Sequence, residues 1–130
     1  VIHKYYPMAA YGDFFEKTHA KSSAKEVFSD LANPDMYPTY LHCSYGADKT
    51  GTIIYILCAL LGVDEDTTYR EWEASLFCHS DSFYDEMDDF VVRFKKLPGN
   101  TMQEKAENYL LSIGVTQQEI DSIREILLTD

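Results

Sequence analysis

The segment Thr50 to Leu61 is the strongest constraint on how this chain folds. It carries Ile53, Ile54, Ile56, Leu57, Leu60 and Leu61, so apolar positions run nearly all the way round a helix. Such a helix has no face to give to water and must be enclosed by the rest of the chain. With 130 residues there is material for one domain around it and no more. A hydrophobic content of 45% and an aromatic content of 14% suffice to build that enclosure.

The flanking segments read as follows. Val1 to Met8 is apolar and aromatic with Pro7 near its end, the pattern of a short strand. Gly12 punctuates a turn over Ala9 to Asp13, and Asp13 is placed to cap the next helix. From about Phe14 to Leu31, Phe14, Phe15, Ala24, Val27, Phe28 and Leu31 recur at helical spacing, and Asn33-Pro34-Asp35 stops that helix. Met36 to His42 reads as a second, buried strand. Beyond the central helix, Gly62 is a stop and Asp64 caps a helix from about Glu65 to Leu76, with Trp72 on its inner side. A further helix begins at Ser80 to Ser82 and ends near Lys96, before Pro98-Gly99-Asn100. Thr101 with Glu104, and Thr116 with Glu119, fit capping boxes for two last helices. The first of these runs to about Ile113 with Gly114 as its C-cap, and the second through Leu128.

The expected order is therefore β-α-β-loop-α followed by four more helices, an α/β fold with a helix-rich tail. Two strands are too few for a stable sheet flanked by helices. The expectation is one partial domain over residues 1–130, with part of its sheet missing on the N-terminal side and supplied by another segment or a partner chain. The alternative is that strands lie hidden in the helical tail. The first residue is Val1 rather than Met, which fits a chain whose start has been removed or that is a piece of something longer.

The formal net charge of -11 argues against nucleic acid or an anionic membrane surface as the main partner. No apolar run approaches the length of a membrane span and no signal peptide is visible. The expectation is a soluble protein, cytoplasmic rather than secreted. Cys43, Cys58 and Cys78 are odd in number and irregular in spacing, which speaks against a disulfide framework. There is no CxxC pair and no HExxH, so no zinc site is expected, and no other cofactor.

Immediately before the central helix stands Leu41-His42-Cys43-Ser44-Tyr45-Gly46-Ala47-Asp48-Lys49-Thr50-Gly51. A cysteine at the end of an expected strand, a short polar loop and a helix start surround one thiol with backbone N–H groups and the positive end of a helix. Those surroundings bind an anion and lower a thiol's pKa. A phosphate monoester needs converging donors, an in-line nucleophile and a proton for its leaving oxygen. Here Cys43 is the candidate nucleophile, the amides of Ser44, Tyr45, Gly46, Ala47, Asp48 and Lys49 the cradle, and Lys49 an added positive charge. Asp48 is the candidate acid and base. Thr50 is placed to hydrogen-bond the thiolate, and His42 to support the loop from behind.

These residues resemble the signature of the cysteine-based protein tyrosine phosphatases: His-Cys, five residues, Arg, then Ser or Thr and Gly. The nearest pattern is that of the bacterial branch whose loop contains Asp-Arg-Thr-Gly. Gly51 to Val63 is similar to that family's central helix, and Tyr109 to Leu128 to its C-terminal end. The resemblance covers most of the chain and corresponds to the family's C-terminal half. It implies a hydrolase acting through a phosphocysteine on phosphotyrosine, phosphoserine/threonine or phosphoinositides, in a phosphorylated protein or a small phosphate monoester.

Two positions depart from the pattern. Lys49 stands where the family carries Arg, so one mobile point charge replaces a planar fork that grips two oxygens. Transition-state stabilisation should fall by several kcal/mol, by analogy with lost oxyanion donors, while anion binding can survive. Ala47 stands where some multi-specificity members have Lys, which ranks a phosphoinositide substrate lower. A slow enzyme and a phosphate-recognition module that no longer turns over both fit Lys49, as does an engineered replacement. The wider superfamily places its general acid on a loop about thirty residues before the cysteine, and Asp13 stands 30 residues before Cys43. Asp48 is preferred because it belongs to the matched motif, with Asp13 as the alternative or as a plain helix cap.

Other readings of these residues are weaker. A nucleotide-binding P-loop would need Gly at 43 and 48, where Cys43 and Asp48 stand. Cys58 sits inside the apolar helix as a packing residue. Cys78-His79 reads as a loop contact, and Arg70 as a solvated or salt-bridged residue rather than one facing the site. Asp85 to Asp89 reads as the wet face of a helix. Tyr45 either lines the pocket mouth or packs.

Overall fold

The structure is a computed structural model that describes residues 15, 18–37, 49–75 and 82–128. Among these residues every regular element is helical. They are α1 (Thr18–Leu31), a 3-10 turn (Pro34–Met36), α2 (Lys49–Leu60), α3 (Glu65–Ser75), α4 (Ser82–Lys95), α5 (Met102–Ser112) and α6 (Gln117–Leu128).

This corrects the α/β expectation. The first expected strand lies outside the described residues, as do residues 38–42 of the second. Where the second strand was to begin, Met36 closes the 3-10 turn instead. The cause is local. The Asn33 side chain accepts the Asp35 N–H at 3.0 Å, Pro34 presets φ at the first position, and the Tyr37 N–H donates to the Pro34 carbonyl at 3.3 Å. The Tyr37 hydroxyl then donates to the Leu31 carbonyl at 2.7 Å, turning this segment back onto the end of α1. Among the described residues the tail hides no strand either, since 82–128 form α4, α5 and α6 with their connections. The described core meets helix with helix: α2 packs on α5 and α3, α1 on α6, and α4 on α5.

Enclosure of α2 is as complete as its sequence demands. Thr52, Ile53, Tyr55, Ile56, Leu57, Ala59 and Leu60 are buried. Each large apolar side chain taken out of water contributes on the order of 1.5–3 kcal/mol before entropy is counted. Against this face lies an aromatic lattice centred on Phe90 of α4. Its ring is 5.0 Å from Phe15, 5.4 Å from Tyr55 and 5.2 Å from Trp72, the last two edge-on. Tyr55 also meets Phe94 edge-on at 5.3 Å. These are the offset and perpendicular arrangements that aromatic quadrupoles favour.

Caps fix where the helices begin and end. The Asp64 carboxylate accepts the Thr67 N–H at 2.8 Å and its hydroxyl at 2.8 Å, and these bonds hold its pKa below the usual carboxylate range. Thr101 accepts the Glu104 N–H at 3.1 Å, while Glu104 reaches back to the Asn100 N–H at 2.8 Å. At α6 the box is reciprocal: Thr116 accepts the Glu119 N–H at 3.1 Å, and Glu119 accepts the Thr116 N–H at 3.0 Å. At the other end of α2 the Val63 N–H bonds the Cys58 carbonyl and the Gly62 N–H bonds that of Ala59, a Schellman close. It needs the left-handed φ of 85° that Gly62 adopts.

Phe90→Ala should remove about 3–5 kcal/mol of unfolding free energy, because the lattice around it cannot collapse into the space. Thr101→Ala should cost about 1 kcal/mol through the lost cap. Urea unfolding of both variants, compared at fixed pH, measures the two values and their order.

Candidate functional site

Helix α2 starts at Lys49 and not one residue later. Thr50 is half-buried and Gly51 buried, so the chain enters the core directly from residues 49 and 50. The other candidate residues, His42, Cys43, Ser44, Tyr45, Gly46, Ala47, Asp48 and Asp13, lie outside the described residues.

The start of α2, like that of α1, lacks the acidic residues found at three other helix starts. Helices α3, α5 and α6 carry Glu65 and Asp66, Glu104 and Glu119 in their first turns, which complement the positive end of the dipole. Helix α2 has no acidic residue in its first turn. No acidic side chain of that turn offsets the partial positive charge at this end of the helix.

One neighbour of this helix start was not legible as such. Gly51 lies directly against Trp72 of α3. A Cβ built on Gly51 would sit 2.7 Å from Trp72 Cδ1 and 2.9 Å from Cε2, with Nε1 nearer still. Spacing marks Trp72 as inward-facing, but no local pattern pairs it with Gly51.

Several side chains resolve into structural roles. Arg70 is exposed and pairs with Asp66 one turn back at 3.1 Å, a surface pair of little energetic weight. Asp89 pairs with Arg93 at 3.0 Å, and Asp88 accepts the Tyr69 hydroxyl at 2.6 Å, as a solvated helix face does. The Cys58 thiol is pushed up by burial and then by the Glu71 charge, the opposite of what a nucleophile needs. Burial likewise raises the Tyr55 hydroxyl, with Glu65 and Tyr69 adding to it. His3, Cys78 and His79 lie outside the described residues. No three His, Cys, Asp or Glu side chains converge on a metal position among the described residues.

A cavity of about 570 Å³ opens between α1 and α5, lined in part by Lys21, Lys25, Tyr109 and Ser112. Thr50, Gly51 and Thr52 of α2 do not line it. Among the described residues no helix is long and apolar enough to cross a membrane.

No curated protein and no solved structure matches the chain. The model of the tyrosine phosphatase family matches residues 3–129, close to the full 130. The chain belongs to the tyrosine phosphatase family.

Proposed function

We propose that this protein hydrolyses phosphate monoesters, phosphotyrosine first, through a phosphocysteine at Cys43. The observation that carries the reading is the string His42-Cys43-Ser44-Tyr45-Gly46-Ala47-Asp48, joined to a helix that begins at Lys49 with no acid in its first turn. Membership of a phosphatase family supports it.

The chemistry divides into two displacements. The Cys43 thiolate attacks phosphorus in line, an S–P bond forms and the P–O bond to the leaving group breaks. Asp48 gives its proton to the departing oxygen, in preference to Asp13. Water then attacks the phosphocysteine with Asp48, now a carboxylate, taking its proton. The S–P bond breaks, and inorganic phosphate and the thiolate are released. Backbone amides and Lys49 hold the equatorial oxygens where charge is greatest in both transition states. No metal or other cofactor enters either step.

Lys49 favours a second reading. Without a guanidinium fork the loop can bind a phosphate group in the ground state and still stabilise the transition state poorly. A phosphate-recognition module would need nothing more.

The two readings part in simple assays. Cys43→Ser should abolish turnover of a small aryl phosphate, and equal rates for variant and wild type would rule out the phosphocysteine. Lys49→Arg should raise kcat by about 10²–10³, the effect of restoring one well-placed oxyanion donor. An unchanged rate, with phosphopeptide binding retained in both proteins, would favour the recognition module.

A further inference from the structure

We propose, building on the reading of residues 42–51 as an oxyanion loop, that Trp72 is a positioning residue acting through the first turn of α2, the described end of that stretch. Its indole braces the first turn of α2 and so fixes how Lys49 and Thr50 enter the site. The contact behind this is the approach of the indole to the bare backbone at Gly51, where even a methyl group would meet Trp72 Cδ1 at 2.7 Å and Cε2 at 2.9 Å. Separations that short do not occur at real Cβ atoms, so ring and helix touch with nothing between them.

The indole also has nowhere to retreat. Trp72 is 4% exposed, and it is backed by Tyr55 at 5.6 Å and Phe90 at 5.2 Å between ring centroids. Phe90 is itself held against Phe15 at 5.0 Å and Tyr55 at 5.4 Å. A close-packed lattice of this kind passes a displacement on rather than absorbing it. At its far end α2 is held as well, because Gln103 Nε2 and Arg124 Nε donate to the Leu60 carbonyl at 3.1 and 3.3 Å. A helix fixed at its C-terminus and braced at its first turn presents residue 49 at one position and one angle.

That brace matters more here than it would beside an arginine. A lysine brings a single flexible charge, so the backbone from which it springs carries more of the aim. Glycine inside a helix is intrinsically weaker than alanine, and propensity alone would favour Ala at 51. The indole reverses the preference, because a methyl there must push the first turn of α2 away from its seat.

The test uses tungstate, a tetrahedral oxyanion, and four proteins: wild type, Gly51→Ala, Trp72→Phe and the double variant. Calorimetry gives affinity and circular dichroism confirms helix content. Trp72 is the chain's single tryptophan, so indole emission reports on the surroundings of this one side chain. In wild type, emission should shift in step with calorimetric saturation. Gly51→Ala and Trp72→Phe should each weaken tungstate binding by about tenfold or more with helix content kept, since small misplacements near a reacting centre cost up to about 10²-fold. The double variant should bind more tightly than Gly51→Ala alone, because the smaller ring makes room for the methyl. Affinities within about twofold of wild type in either folded single variant would overturn the role of Trp72 and leave the anion site standing. A folded wild-type protein that takes up no tungstate would overturn the anion-site reading itself.

Discussion

The burial of α2 is the constraint on which the rest of the described structure depends. A 12-residue helix with almost no polar face cannot lie on a surface, so other helices must cover it. They do so with different materials. Helix α5 brings Ala106 and Leu110, small and aliphatic, while α3 and α4 bring Trp72, Phe90 and Phe94. The aliphatic side lets helices approach closely. The aromatic side supplies large rigid groups whose edge-to-face geometry specifies one arrangement among many.

Because α2 is enclosed laterally, its two ends become the places where the chain can do chemistry or be tied down. At the C-terminal end the Leu60 carbonyl would otherwise be an unsatisfied acceptor beside the core. Gln103 of α5 and Arg124 of α6 both donate to it, and Arg124 is held by Glu107 at 3.4 Å. A cation there also complements the negative end of the dipole. Two later helices are thereby locked onto the central one through a single carbonyl oxygen. The N-terminal end receives no such acidic complement from its own first turn, and the motif that precedes it is the one proposed to take an anion. On that proposal, stability and function occupy opposite ends of the same element, about 18 Å apart for 12 residues.

How much of this was legible in the sequence follows the range of the interactions involved. Asp64, Thr101 with Glu104, Thr116 with Glu119, Gly62 and Gly114 mark helix ends correctly because each acts on backbone groups within a turn of itself. The start expected for a strand at Met36 failed for the converse reason. An apolar run is ambiguous, and what decides it here is the Asn33 cap, the fixed φ of Pro34 and the reach of Tyr37 back to Leu31. The family was legible, since a thiol, a glycine and an aspartate ahead of Lys-Thr-Gly form an unusual string, and the family model matches the chain that carries it. What packs behind the start of α2 was not. Gly51 and Trp72 sit on successive helices, and their contact depends on how α2 and α3 pack, which no local period records.

A chain of net charge -11 that handles phosphate must reconcile an unfavourable overall field with a favourable local one. Screening makes this possible. At physiological salt the Debye length is about 8 Å, so most of the surface carboxylates act only weakly at the start of α2. What remains is set within a few ångströms: backbone N–H groups, the helix end and Lys49. Arginine in that seat would bring charge and geometry together, whereas lysine brings charge and leaves geometry to the backbone. The rigidity of the first turn, rather than the reach of one side chain, then governs how faithfully that charge meets a transferring phosphoryl group. On the proposed role of Trp72, the aromatic lattice behind Gly51 is part of the phosphate chemistry, although none of its rings need touch the substrate.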